Sequence, residues 1–199
     1  VRYRRSDVVE RAVTVLDQHG LADLSMRRIA SELGLQPSAL YHHFASKQVL
    51  LAAVADEILD RGARTPHDQL AWDAAVVAIC HELRDAMLAY RDGAELVATV
   101  HAFGLGTRSP VGPLVAALGR GGFALDFAHA AATTLVHFVF GHVSDEQTHL
   151  QADSVGALGD TEIRPGAGSF DLGLSLILDG VRQQQPGQVQ DVLSGRPSS

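Results

Sequence analysis

"LSMRRIASELGLQPSALYHHF", residues 24–44, is the stretch on which the fold turns. It divides at Gly34. Before the glycine, Ser25 can cap a helix whose apolar side is Ile29, Ala30 and Leu33, and Gly34 stops that helix after about two turns. After it, Pro37 stands where a first helical turn accepts proline, because the N–H groups of that turn lack partners anyway. Leu40 and Phe44 give the second segment its apolar side. Two helices of about two turns, joined by a few residues that include a glycine, make a helix-turn-helix. The second is then a probe about 10 Å long at roughly 1.5 Å per residue, a fit to a major groove about 12 Å wide.

In this reading Ala30, Leu33, Leu40 and Phe44 point inward and fix the angle between the two helices. The expected DNA contacts are Ser25, Arg27, Gln36, Pro37, Ser38, Ala39, Tyr41, His42, His43 and Lys47. Small Ser38 and Ala39 let the backbone approach closely. The Tyr41 hydroxyl, a histidine and Lys47 can reach phosphates, and the Arg27 fork can reach a guanine edge. His42 and His43 do not read as a metal pair, because neighbours on a helix point about 100° apart, whereas an i, i+4 pair shares a face. No metal and no cofactor are expected.

The flanks are helical in pattern. Val8, Val9, Ala12, Val13 and Leu16 recur at helical spacing, with Ser6 as the expected N-cap and Gly20 as the stop. A fourth helix starts at Ser46 and carries Val49, Leu50, Ala53, Val54 and Ile58. Residues 62–69 break the pattern. A long helix follows over 70–90, with Trp72, Val76, Ile79, Leu83 and Met87 on one stripe. A shorter helix crosses 91–103, a loop 104–113 and a short helix 114–122. The longest helix spans 123–148, apolar nearly all round in its middle and so expected to be buried on more than one side. A loop 151–168, a last helix 168–184 with Phe170, Leu174, Ile177, Leu178 and Val181, and an irregular tail complete the chain. No strand-like alternation occurs, so the fold is expected to be all-α, with a three-helix DNA-binding domain over 1–46 and a larger helical domain over 47–199.

The totals agree. Hydrophobic residues are 46% of 199, enough for a core. Five of the seven prolines lie at or beyond Pro110, which leaves the first half free for helices. The one cysteine, Cys80, excludes an intrachain disulfide and reads as a core residue. The N-terminus has no apolar leader, and the most apolar run, 130–143, is too short for a bilayer, so a soluble, cytoplasmic protein without a membrane partner is expected. The net charge of −7 is polarised. Residues 1–48 hold seven Lys/Arg against five Asp/Glu, and the remainder nine against eighteen. A basic end on an acidic body suits an oriented contact with a polyanion.

From the Leu-Ser-x-Arg opening, through Ala-x-x-Leu-Gly, to Ala-Leu-Tyr-x-His-Phe and Ser-Lys, residues 6 to about 60 resemble the DNA-binding signature of the tetracycline-repressor (TetR) family. The resemblance implies an all-helical, homodimeric one-component repressor. Its N-terminal domains would enter successive major grooves of a palindromic operator, and its C-terminal body would bind a small-molecule inducer that resets their spacing. "MLAYRDGAELVA" and "FDLGLSLILDGVR" are similar to the tetracycline-repressor branch itself. Yet Ala63, Ile79, Leu83 and Val97 stand where tetracycline–magnesium binders of that branch carry histidine, asparagine, phenylalanine and histidine. The resemblance therefore implies the architecture but argues against tetracycline.

Seven of the ten histidines lie in the body, and 129, 137, 142 and 149 form no i, i+3 or i, i+4 pair, so no preformed helical metal site is expected. His101 and His137, each in an apolar run, are the expected polar groups of a ligand pocket, with Leu83, Met87, Phe103 and Phe138 as candidate lining. Asp145–Glu146 reads as a solvated helix face or a dimer edge, and no nucleophile or metal cluster accompanies it. The competing class is a helical-bundle enzyme or carrier whose helix-turn-helix no longer reads DNA.

Overall fold

A computed structural model describes residues 3–63, 66–154 and 165–185. Among them are α1 (Arg5–His19), α2 (Met26–Glu32), α3 (Pro37–Tyr41), α4 (Lys47–Gly62), α5 (Trp72–Leu88), α6 (Gly93–Ala102), α7 (Val111–Arg120), α8 (Leu125–Ser154) and α9 (Ala167–Arg182). No strand occurs among the described residues, and the architecture is all-α as expected. The chain forms two compact units, Val1–Arg64 with Glu82–Ser109, and Thr65–His81 with Pro110–Ser199. The first part of α5 thus belongs to the second unit and its last part to the first.

In the first unit, α1 buries Val8, Val9, Ala12, Val13, Val15 and Leu16. Fully burying one such side chain contributes about 1.5–3 kcal/mol, so this stripe anchors α1 against α2 and α4. Ser6 is not its N-cap. The helix begins at Arg5, because the Asp7 carboxylate reaches back and accepts the Arg4 N–H at 2.7 Å, which draws Ser6 into the first turn. At the other end Gly20 has φ +82°, and its N–H donates to the Leu16 carbonyl at 2.7 Å. The cap at Ser25 is as expected, its Oγ accepting from Arg28 N at 3.2 Å, and Ser46 caps α4, its Oγ accepting from Val49 N at 3.3 Å.

Farther along this unit, α4 buries Leu50, Ala52, Val54, Ala55 and Ile58 and packs on both α1 and α6. The turn before α6 is held by reciprocal carboxylates. Asp92 Oδ2 accepts the Leu21 N–H at 2.8 Å, and Asp17 Oδ1 accepts the Arg91 N–H at 3.3 Å. Asp92 takes a left-handed backbone (φ 54°), a conformation in which Asp and Asn are enriched among non-glycine residues.

Of the stripe expected on α5, Val76, Leu83 and Met87 are buried, whereas Trp72 and Ile79 are half-buried and Ala75 and Cys80 are buried beside them. Burial pushes the Cys80 thiol up to about 12, which keeps it protonated and unreactive. Helix α7 starts at Val111, earlier than expected, since Pro113 sits within the first turn, where no intrahelical N–H bond is lost. Trp72 lies over Gly121, where a Cβ would come within 2.7 Å of the indole, and meets Phe123 edge-on at 5.0 Å.

Helix α8 is the long element, with thirty residues, and runs past the expected end to Ser154. Its burial is one-sided. Ala128, Ala132, Leu135, Val136, Val139 and Val143 face α7 and α9, whereas His129, Ala130, Thr134, His137 and Gly141 are exposed. Glu146 is no solvated edge. It is buried beside His142, with Oε2 3.8 Å from Nδ1, on the inward stripe one turn further along. Helix α9 buries Phe170, Leu174, Leu178 and Val181 as expected, while Ile177, expected on the same face, is half-buried. The predicted loop 151–168 is shortened from both sides by α8 and α9. Its middle, 155–164, and the tail from 186 lie outside the described residues.

Candidate nucleic-acid interface

The α2–α3 pair is built from its buried side outward. Ile29, Ala30, Leu33, Leu40 and Phe44 are all buried, Leu40 and Ile29 at 0% exposure. Gly34 turns the chain with φ +66°, and Leu35 N returns to the Ala30 carbonyl at 2.8 Å, which satisfies a terminal carbonyl of α2. Helix α3 then begins on Pro37 and is shorter than its sequence suggests. It ends at Tyr41, because Phe44 turns inward through bonds from His43 N and Phe44 N to the Leu40 carbonyl, both 2.9 Å, and Ser46 already caps α4.

That geometry sorts the candidate contacts. Gln36, Ser38, Tyr41, His42 and Lys47 are exposed on α3 and at the start of α4, and Arg27 is exposed on the first turn of α2. Tyr41 is 54% exposed, high for an aromatic ring. Ser25, Pro37, Ala39 and His43 are half-buried. Ser25 spends its side chain on the α2 cap, which leaves it a positioning group for Arg27 two residues on. Arg28 is engaged inward, 2.7 Å from His19 Nε2 and 3.4 Å from Glu32, so the two adjacent arginines have different surroundings.

One contributor was not singled out from sequence. Arg5 Nη1 donates to the His43 carbonyl at 2.8 Å, and its guanidinium carbon stands 4.2 Å from the Phe44 ring centroid. It therefore fastens the end of the probe to the start of α1 by a charged hydrogen bond and a cation–π contact. The only sequence signal was its place in a basic N-terminus, which does not distinguish it from Arg4.

The candidate ligand residues separate by unit. In the first, Leu83 and Met87 are buried one turn apart on α5, His101 is half-buried at the end of α6, and Phe103 is 72% exposed just after it. In the second, His137 is exposed on α8 and Phe138 is half-buried, stacked on Phe170 at 5.4 Å. The more enclosed histidine there is His142, which meets Phe170 edge-on at 5.3 Å and contacts Ser169 Oγ at 3.0 Å through Nε2. A cleft of about 310 Å³ lies between α5 and α9, bounded by His81–Asp171 (3.0 Å) and by Arg182, with Val77, Leu174 and Leu178 between. The His81 ring also meets Phe170 edge-on at 5.2 Å. Groups of three or more metal-ligating side chains do not occur among the described residues, nor does a helix long and apolar enough to cross a membrane.

Residues 8–54 match the family described as bacterial regulatory proteins, tetR family, and residues 65–164 match the tetracyclin repressor-like C-terminal domain. The chain is 31% identical to the class A tetracycline repressor protein from transposon 1721 of Escherichia coli, over 89% of this chain and 90% of that one. Among solved structures, BioQ of Mycobacterium smegmatis is 46% identical with a TM-score of 0.81, over 90% of this chain and 98% of that one. A structure of BioQ with its natural double-stranded DNA operator is 42% identical with a TM-score of 0.78, over the same shares.

Proposed function

The chain belongs to the tetR family of bacterial regulatory proteins, and on that premise we propose that it is a repressor that binds a palindromic DNA operator as a homodimer and is released by a small-molecule inducer. The observation that carries this is the α2–α3 pair. Its inner side is sealed by Leu40 and Phe44, and its outer side offers Arg27, Gln36, Ser38, Tyr41, His42 and Lys47 with little else to do in the fold. BioQ, similar in fold along nearly its whole length, has been seen on its operator. Arg27 is the base reader. Gln36, Pro37, Ser38 and Ala39 form the close approach, Ser25 positions Arg27, and Tyr41, His42, His43 and Lys47 serve the phosphates and neighbouring bases.

The functional division falls at 46/47, with α4 joining the DNA-binding domain 1–46 to the ligand and dimerisation domain 47–199. Two copies meet through the outer faces of α8 and α9 as a four-helix bundle. Leu172 and Leu176, one turn apart on α9, are 64% and 67% exposed, and the outer stripe of α8 carries small Ala130, Thr134 and Gly141, which permit close approach. Two-fold symmetry then sets half-sites about 34–36 Å apart or a multiple of that. The inducer is not a tetracycline–magnesium chelate, because Ala63, Ile79, Leu83 and Val97 offer no side-chain oxygen or nitrogen to it. Leu83, Met87, His101 and Phe103, all in the first unit, are the body residues that hold it.

The test is selection of duplexes from a random DNA pool, followed by salt titration of the binding. A palindromic consensus, nanomolar affinity and a steep salt slope are expected. Arg27→Ala should relax preference at one base pair, whereas Tyr41→Ala should weaken binding to every duplex alike. Equal affinity for all duplexes would sink the reading. It would favour a bundle that has lost DNA recognition.

A further inference from the structure

Helix α8 leaves one face open, and the order of residues along that face is nearly the same from either end. Its centre is Gly141. Four residues before it stands His137 and four after it Asp145. Seven before is Thr134 and seven after is Thr148. Eleven before is Ala130 and eleven after is Ala152. Such offsets return to one side of a helix with about 3.6 residues per turn, and all of these residues are exposed except Ala152, which is half-buried. The match is one of kind as well as place: alanine with alanine, threonine with threonine, an imidazole with a carboxylate.

The chemistry of the face follows the same order. Both threonines spend their hydroxyls on their own helix, Thr134 on the Ala130 carbonyl at 2.9 Å and Thr148 on the Ser144 carbonyl at 2.8 Å, which leaves their methyl groups to a neighbour. The side chains of His137 and Asp145 make no hydrogen bond or ion pair among the described residues, and Asp145 gives only its backbone carbonyl, to His149. Glycine inside a helix is unfavourable relative to alanine. Gly173 on α9 has a reason within the chain, since a Cβ there would stand 2.6 Å from Phe138 Cε2, whereas a Cβ at Gly141 would meet nothing of the described chain within 4 Å. A second backbone crossing at Gly141 supplies the missing reason.

In a two-fold contact, if residue i meets residue j of the other copy, j also meets i. With the axis perpendicular to α8 at Gly141, each residue before the glycine meets the one equally far after it, so this face is its own complement. We propose that the two α8 helices of the dimer cross antiparallel at Gly141, and that His137 of each copy donates a ring N–H to the partner's Asp145, which sets the register. A slip of one turn loses both pairs at once, and an arrangement in which like numbers meet sets two Asp145 carboxylates together, a repulsive contact. The inference rests on the homodimer reading, which puts a second copy on the outer faces of α8 and α9, and adds to it the axis and the two pairs.

The experiment uses the full chain. A disulfide needs Cα atoms no more than about 7 Å apart, so oxidative cross-linking reads the register, and Cys80, buried and with its thiol pushed up to about 12, gives no background. Gly141→Cys should link to its own copy. His137→Cys and Asp145→Cys should each link little alone, but should link to one another when differently tagged chains are coexpressed. Sedimentation then tests the pairs. His137→Asp and Asp145→Lys should each weaken dimerisation by about tenfold or more, and the two together in one chain should restore it to within about threefold. Circular dichroism should stay constant throughout, since both side chains are exposed. Self-linking of His137→Cys and of Asp145→Cys, with none between them, would overturn the proposal. So would a dimer that links at none of the three positions, single variants of unchanged dimer strength, or a double variant as weak as either single one. An unaltered chain that sediments only as a monomer would remove the homodimer reading and the proposal with it.

Discussion

Helices α3 and α8 are the extremes of this molecule, five residues against thirty. An isolated helix of five residues is unstable in water, because nucleation is unfavourable and only a bond or two is gained. Helix α3 exists because its ends are fastened, by Pro37 in its first turn, by Leu40 and Phe44 in the core and by Arg5 on the His43 carbonyl and the Phe44 ring. Helix α8 needs no such fastening. It buries one long stripe and leaves the other open. The difference is that the short helix is finished within one chain, whereas the long one leaves open the face on which the second copy is proposed to sit.

The sharpest way to break this comparison is Phe44→Ala. A buried Phe truncated to Ala costs about 3–5 kcal/mol, and here it also removes the ring under Arg5. Operator binding should disappear, while circular dichroism keeps most of its helical signal, because α5 to α9 do not depend on that ring. Retained specific binding by this variant would mean that α3 is held by something other than its core plugs.

The opposite behaviour is expected on the open face. Leu172→Glu with Leu176→Glu places two charges where the dimer seam is proposed, on side chains already 64% and 67% exposed. The single chain should keep its helical content, and dimerisation should weaken on the order of a hundredfold, given the cost of desolvating unpaired charge. Sedimentation would measure it. A dimer of unchanged strength would move the seam elsewhere.

What could be read from the sequence follows the same division. The elements closed by local signals were legible. The cap at Ser25, the start of α4 at about Ser46, the stop at Gly20, the proline at the first turn of α3 and the buried set Leu40 and Phe44 stand in the structure as the spacing predicts. Features decided by competition between neighbours were not. Ser6 lost the first cap to Asp7, which reaches one amide further back. Asp145–Glu146 looked like a surface pair, but residue 146 falls on the inward stripe and residue 145 on the outward one. Long-range contacts left no local trace at all, as with Arg5 on Phe44 and Asp56 on Thr107. The expected burial of α8 on more than one side corresponds to one stripe within the chain. The second awaits the proposed partner.

A smaller effect tests the corner between α1 and α2, which α3 depends on. Gly20→Ala places a Cβ at φ +82° and 2.6 Å from Asp92 Oδ2. It should destabilise the first unit by about 1–3 kcal/mol through left-handed strain and displacement of the Asp92 bond to Leu21. Chemical denaturation would show it. A variant as stable as the parent would mean that the α1–α2 corner adjusts without cost.

The smallest effect belongs to the second unit and depends on pH. Arg182 Nη2 stands 2.9 Å from Asp73 Oδ2 and joins α9 to the start of α5. The guanidinium, by hydrogen bond first, holds the Asp73 carboxyl below its ordinary 3.8, while burial opposes the shift. A carboxyl lowered by folding contributes stability that is fully present above its unfolded value and is lost as the pH falls through the folded one. Both side chains are more than a third exposed, 34% for Asp73 and 39% for Arg182, so solvent screens the pair to about 0.2–1 kcal/mol. Asp73→Asn should therefore be less stable than the parent at pH 7 by that amount, and the gap should close below about pH 4. Arg182 keeps its Asp179 partner at 2.8 Å in the variant, so the helix end is not left bare. Denaturation at pH 7 and pH 3 would decide it: a gap of the same size at both values would show that Asp73 acts through shape or through its bond to the Ala74 N–H, and not through its charge.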